Sequence, residues 1–232
     1  MARITRKELK SDKFAQEVGL TVDFFDEHRQ DLARYGGIAL AVLVLVLAYS
    51  YYARHQHAAR QEALYQAVVA SEAPVGPPQA PGVLSFPTQL AKDEQTVKRF
   101  SDLVSRYGGS AEGDIAEYFL GSIRAGQGKM AEAEKFFLDA SQKGDEKYSS
   151  LAKLSLSQIY FEDGRADLGE KTLRDLIAHP TIFVSSDQAT IALARQLMRK
   201  KPAEARKLLQ PLLSKPGGTG QAASNLNAEI PQ

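Results

Sequence analysis

A run of uncharged residues near the start of the chain constrains its fold more than any other feature. The run covers the 19 residues at positions 35–53 and reads YGGIALAVLVLVLAYSYYA. As an α-helix it would be about 28 Å long, close to the roughly 30 Å hydrocarbon core of a bilayer. Its centre is apolar on every face, whereas a surface helix of a soluble domain has a polar stripe. The run therefore predicts one transmembrane helix at residues 35–53.

Two other interpretations of the run stay open, namely a cleaved signal peptide and a buried helix of a soluble domain. A signal peptide has a short basic segment before its apolar core. Here the 34 residues before the run carry seven acidic and seven basic side chains, which favours a retained span. Seven basic side chains lie before the run, whereas the nearby flank after it carries only Arg54 and Arg60 before the next loop. The positive-inside rule therefore predicts a cytoplasmic N-terminus and an external C-terminal domain. The reverse orientation is the alternative.

The segments around the span differ in composition. Residues 1–34 are predicted to form a charged, amphipathic tail on the cytoplasmic side, and residues 54–73 the first helix after the membrane. Residues 74–87 read PVGPPQAPGVLSFP, and proline this dense removes backbone donors and prevents a helix, so a loop is expected. The final residues, 216–232, contain several glycines and few large apolar side chains, and a disordered tail is expected there.

The intervening segment, residues 88–215, contains an internal repeat. Residues 116–140 align with residues 152–176 in a register of 36 residues, which places Gly128 over Gly164. Each unit predicts a helix, a turn built on glycine and a second helix, because glycine adopts the left-handed backbone that ends a helix.

Two further units extend the pattern. A third unit follows at the same offset and has Pro202 at the predicted start of its second helix, where proline is favoured. Upstream, residues 93–109 resemble a second helix whose partner is predicted at residues 58–72, with the proline-rich loop inserted between them. An all-α fold is therefore expected.

The alternation of small and large apolar side chains resembles the tetratricopeptide repeat. The positions that carry the resemblance are Leu120, Gly121, Ala133, Phe137 and Ala140 in one unit, and Leu156, Ser157, Tyr160, Gly169 and Leu173 in the next. The small residues are expected to let paired helices approach closely. The resemblance implies an α-solenoid of helical hairpins, a fold that presents extended binding surfaces. An array of hairpins without true repeats would give a similar pattern.

The order of segments resembles a more specific family, the bacterial ancillary subunit of the Sec translocon. The resemblance is carried by the charged tail with RKELKSDKF, the single span, EALYQAVV and the degenerate repeats that follow. It implies a single-pass protein of the bacterial inner membrane with a cytoplasmic N-terminus and a periplasmic repeat domain. The implied function is a protein-binding adaptor whose partners are the SecYEG translocon, periplasmic chaperones or emerging client chains. A structural scaffold of an envelope or cell-division complex is the alternative.

Composition and motifs argue against chemistry at a catalytic centre. The chain has no cysteine, which excludes disulfides and thiolate chemistry, and 29 basic residues nearly balance 28 acidic ones. No bulk charge therefore recruits nucleic acid. No metalloprotease, phosphate-loop or hydrolase motif occurs, so we expect no enzyme activity, no cofactor and no bound metal.

The binding surface is expected on the first helix of each repeat, because these helices line the concave face of tetratricopeptide arrays. The resemblance places the partner-binding groove at Tyr118, Ser122, Leu154, Gln158, Phe161 and Glu162. Tyr118 and Phe161 are the expected anchors, since aromatic side chains dominate interface energetics. Packing between repeats is the alternative role for each of these side chains.

Overall fold

The computed structural model describes residues 29–78, 80–143 and 146–231. In these ranges the secondary structure is helical apart from one isolated bridge. The α-helices are α1 (Arg29–Glu72), α2 (Gln89–Tyr107), α3 (Ala111–Gly126), α4 (Met130–Lys143), α5 (Glu146–Glu162), α6 (Ala166–Ala178), α7 (Ser186–Leu197), α8 (Pro202–Leu209) and α9 (Gly218–Glu229). A short 3-10 helix, Gln210–Leu212, follows α8. The expected all-α class is confirmed, whereas most of the charged tail predicted at residues 1–34 lies outside the described residues.

The chain divides into two compact units, Met1–Ala58 and Ala59–Gln232. In the first unit, α1 carries the apolar run, and its most apolar stretch is not buried against any other described residue. Leu45, for example, is 69% exposed. A core helix of a soluble protein would be covered, so the structure does not support that interpretation. This helix is long and apolar enough to cross a membrane.

The second unit is a series of antiparallel helix pairs. The end of α1 pairs with α2, where Ala67 packs in one cluster with Phe100 and Leu103. Arg99 Nη1 also donates a hydrogen bond to the Gln66 carbonyl at 3.1 Å. The predicted pairing of residues 58–72 with the helix after the proline-rich loop is therefore confirmed. The remaining pairs are α3 with α4, α5 with α6, and α7 with α8.

The proline-rich loop between α1 and α2 is closed at its base by two backbone hydrogen bonds. Gly76 N–H donates to the Phe86 carbonyl at 2.8 Å, and Phe86 N–H donates to the Pro74 carbonyl at 3.0 Å. Phe86 is buried in a small cluster with Ala70 and Ala73. The loop can therefore be inserted between α1 and α2 without separating them.

The predicted turn and packing positions are confirmed. Gly128 and Gly164 end the first helices of two repeats with φ of 74° and 78°, the left-handed region that favours glycine. A Cβ atom on Gly121 would lie 2.7 Å from the Phe137 ring. The absence of a side chain at residue 121 therefore lets Phe137 pack directly on α3.

Replacing Gly128 with alanine is expected to cost about 1 kcal/mol of the free energy of unfolding, because an L-residue is strained in the left-handed region. The space around its Cβ position is empty, so the cost is conformational. Gly126→Ala is the matched control, since Gly126 is helical and lies in equally open space. This replacement is expected to increase the free energy of unfolding by about 0.5–1 kcal/mol. Chemical unfolding of both variants measures the two changes in the free energy of unfolding. Equal changes would contradict the assignment of a left-handed backbone to Gly128.

The expectation of a disordered C-terminal tail at residues 216–232 is wrong. The helix α9 covers Gly218–Glu229, and Ala223, Leu226 and Ile230 are buried against the third repeat. Arg206 Nη2 also donates hydrogen bonds to the carbonyls of Ile230 and Pro231, at 3.2 and 3.0 Å. The three apolar side chains are spaced by three and four residues, which places them on one helix face. That face covers the open end of the helix stack.

Candidate protein-binding surface

The predicted groove positions on α3 belong to different environments. The Tyr118 ring is half-buried and meets the Tyr148 ring edge-on, with centroids 5.6 Å apart. The Ser122 hydroxyl donates to the Tyr118 carbonyl at 3.0 Å, so its hydrogen-bond donor is used within its own helix. Tyr118 thus joins one repeat to the next, which is the packing role considered as an alternative to partner contact.

Tyr118 is part of a larger aromatic series that crosses the second unit. The ring centroids of Phe100 and Phe119 are 5.0 Å apart, those of Phe119 and Tyr148 are 6.2 Å apart, and those of Tyr148 and Phe183 are 5.4 Å apart. Exposure rises along the series, from a buried Phe100 to Phe183 at 39%. The series stabilises contacts between repeats and reaches the surface at the loop between α6 and α7.

The structure brings two of the predicted residues, Leu154 and Gln158, into one cleft near the C-terminus. We call this the C-terminal cleft; its volume is about 470 Å³. Three helices form it, and the lining residues are Leu154, Gln158, Ser185, Gln188, Ile191, Ala192, Arg195, Gly218, Thr219 and Ala222. Its size lies in the range of ligand-binding clefts.

The last two predicted positions, at the end of α5, do not line this cleft. A Cβ atom on Gly169 would lie 2.6 Å from the Phe161 ring, so Phe161 packs closely on α6. Glu162 is exposed and lines a separate cleft of about 250 Å³ together with Glu134 and Arg165. The six predicted positions are therefore divided among several environments.

Many charged side chains on or beside the second helix of each pair form ion pairs. Arg165 donates to both carboxylate oxygens of Glu134, at 2.6 and 2.7 Å, and this pair holds the pKa of Glu134 below its usual value. Glu170 accepts hydrogen bonds from Arg174 and from Lys201, which lower its pKa and connect two repeats. The pairs of Arg165 with Glu134 and of Glu170 with Lys201 connect neighbouring repeats of the stack.

Three acidic side chains are buried at the start of α3. Glu112 forms an ion pair with Arg60 at 3.2 Å. Asp114 and Glu117 are 4% and 7% exposed, and each has one carboxylate oxygen without a hydrogen-bond partner among the described residues. Burial raises the pKa of both carboxyls; Lys143 opposes the shift, and Asp139 adds to it at Glu117. Asp114 and Glu117 therefore destabilise the folded state when they are ionised.

Glu117→Gln is expected to raise the unfolding temperature at pH 7, because it removes a buried charge. A raised pKa in the folded state means that the folded protein binds the proton first as pH falls. The wild type should therefore become more stable between neutral pH and about 4, where an unfolded carboxyl also protonates. The difference in unfolding temperature between the variant and the wild type should therefore decrease as the pH falls from 7 to about 4.

Unfolding temperatures measured against pH test this expectation, with the exposed Glu94→Gln as the matched control. A lower unfolding temperature for Glu117→Gln at pH 7, or an advantage that does not change with pH, would contradict it.

Among the described residues, no group of three or more histidine, aspartate or glutamate side chains is placed to hold a metal ion. The surfaces of the second unit include the C-terminal cleft, the smaller cleft beside Glu162 and the exposed end of the aromatic series at Phe183. These features suit the binding of other proteins.

A family model described as a tetratricopeptide repeat-like domain matches residues 24–187. The chain belongs to this family. The match covers more than half of the chain, including the apolar run, and ends at the start of α7. Tetratricopeptide repeat-like domains generally mediate protein–protein interactions. Searches of curated proteins and of solved structures gave no significant match.

Sequence reasoning missed most of the C-terminal cleft. The tetratricopeptide positions gave Leu154 and Gln158, whereas Gln188 and Arg195 lie on α7 and Thr219 lies on α9. One signal was available, because Ala223, Leu226 and Ile230 have helical spacing. Recognising α9 would have indicated a further wall at the end of the repeats.

Proposed function

We propose that this chain is a single-pass protein of the bacterial inner membrane whose tetratricopeptide repeat-like domain lies in the periplasm. There it binds proteins at the Sec translocon, and the partners are SecYEG itself, periplasmic chaperones or emerging client chains. One observation carries the proposal: a single family match includes both the apolar helix and the helix pairs that precede the third repeat. The order of tail, span and repeats supports the link to the translocon.

Tethering explains how a modest binding surface would be effective. A membrane anchor confines the repeats near other membrane proteins and raises their effective concentration without any new contact. The second unit offers several partly apolar surfaces of this kind, including the exposed Ile182 and the C-terminal cleft. The role is binding, and it requires no catalytic centre or cofactor.

The orientation is tested by fusing a reporter that is active only outside the cytoplasm to the C-terminus of the full chain. We expect high activity in bacterial cells. The matched fusion carries a reporter that is active only in the cytoplasm, and it should be silent. The opposite pattern would place the repeats in the cytoplasm and overturn the proposal.

The partner is tested by placing a photocrosslinking amino acid at Gln158 or Ile182 of the full chain in cells. We expect crosslinks to SecYEG subunits, periplasmic chaperones or exported chains. Leu168, a 47% exposed residue on a second helix, is the matched control position. Crosslinks only to division or cell-wall factors would replace the proposal with the scaffold alternative.

A further inference from the structure

We propose that the C-terminal cleft binds an extended internal segment of a partner protein in which an acidic side chain lies close to an apolar one. This inference rests on the proposed protein-binding function and names the chemistry of the partner. It is drawn from the apolar residues, the charge and the amide groups that line the cleft.

The apolar part of the cleft is contributed by all three of its helices. Leu154 comes from α5, Ile191 and Ala192 from α7, and Ala222 from α9. None of these four side chains is fully buried. An apolar side chain that covers them would remove apolar surface from water, which is the main favourable contribution to association.

The charge of the cleft is positive. Arg195 is the one charged residue that lines it, and this exposed side chain has no ion pair or hydrogen bond within the part of the chain that the structure describes. Asp187, nearby on α7, is already paired with Lys215 at 2.7 Å. An arginine without a local carboxylate binds a carboxylate from a partner well, because its planar group can donate two parallel hydrogen bonds.

Two amide side chains indicate that the partner segment is extended. Gln158 and Gln188 line the cleft from different helices. Neither side chain forms a hydrogen bond with another described residue. An extended segment brings unpaired backbone N–H and C=O groups, which need partners when they are buried. A carboxamide can both donate and accept, so the two glutamines can satisfy such groups on both sides.

Most of the residues that line the cleft lie beyond the matched family region, although Leu154, Gln158 and Ser185 lie within it. The family match ends at residue 187, whereas Arg195, Thr219 and Ala222 all follow it. The cleft is open to solvent, so a chain bound in it need not end there.

The test uses the full chain in detergent micelles and a library of randomised octapeptides that are blocked at both ends. We expect bound peptides to be enriched in aspartate or glutamate next to an aliphatic residue. A synthetic peptide of the enriched sequence should bind about ten-fold more weakly to the Arg195→Gln variant, as expected for the loss of a hydrogen bond between charged groups. Arg195 has no described partner to lose, so the variant should unfold at the wild-type temperature.

Charge reversal gives the sharper test. Arg195→Glu should switch the preference of the library from acidic to basic residues. Arg199→Glu, the matched control at an exposed arginine in the turn after α7, should leave the preference unchanged. An acidic preference that survives Arg195→Glu would overturn the inference, as would the absence of any enrichment. Binding only to a parallel library with free C-terminal carboxylates, or occupation of the cleft by a second copy of the chain, would also overturn it.

Failure of this inference is distinguishable from failure of the proposed function. If Arg195→Glu keeps its crosslinks to the translocon in cells while the library shows no acidic preference, only the inference about the C-terminal cleft is contradicted. If the wild type forms no such crosslinks, the proposed function falls.

Discussion

Replacing Leu43 and Val44 together with aspartate is expected to release the protein from the membrane. Both residues lie in the middle of the apolar run of α1, and both are exposed in the first unit. An aspartate at the centre of a transmembrane helix costs about 2.5–3.5 kcal/mol of insertion free energy. Two such changes exceed what the remaining apolar residues can offset, so the helix should no longer insert.

Fractionation of cells followed by an alkaline carbonate wash measures the result. The matched control replaces the same two residues with alanine, which keeps the segment uncharged and should leave the protein in the membrane pellet. A double-aspartate variant that stays in the washed membranes would contradict the assignment of α1 as the anchor. The wild type should also keep its full length, since a removable signal peptide would shorten it.

Phe100→Ala is expected to destabilise the second unit by about 3–5 kcal/mol, the usual cost of removing a buried phenylalanine. Phe100 is fully buried, its ring lies parallel to that of Phe119, and Ala67 and Leu103 pack in the same cluster. Its removal would leave a cavity where the end of α1 meets α2 and α3. Because a domain of this size is only marginally stable, most of the stability of the unit would be lost.

Chemical unfolding of the full chain in detergent micelles, followed by circular dichroism, measures this effect. Phe183→Ala is the matched control, since Phe183 ends the same aromatic series and is 39% exposed. Phe183→Ala should lower the free energy of unfolding much less than Phe100→Ala does. Equal losses of the free energy of unfolding in the two variants would mean that burial does not determine how much each phenylalanine contributes to stability.

Repeat architecture follows from sequence because its rules are local. The turns at Gly128 and Gly164 need a left-handed backbone, and glycine is the residue that adopts it without strain. Pro202 begins α8, as expected for a residue with a preset φ and no backbone donor. The apolar run is also recognisable, since its length and its lack of charge are properties of the sequence alone.

The tail shows where local reasoning fails. Residues 216–232 contain several glycines and few large apolar side chains, a composition that favours disorder. The helix α9 is stable because Ala223, Leu226 and Ile230 cover the apolar end of the third repeat. Most helical stability in proteins comes from such packing, which composition does not describe.

Binding positions depend still more on tertiary structure. Leu154 and Glu162 belong to the same helix, yet they line different clefts, and the cleft that holds Leu154 is completed by α7 and α9. The pattern of the chain is sufficient to predict an apolar helix long enough to cross a membrane and a stack of helical hairpins. Helix formation, turn chemistry and hydrophobic length are set by neighbouring residues. Only the packing of distant helices places Arg195, Gln158 and Thr219 around one cleft, because those residues meet through the fold and share no local pattern.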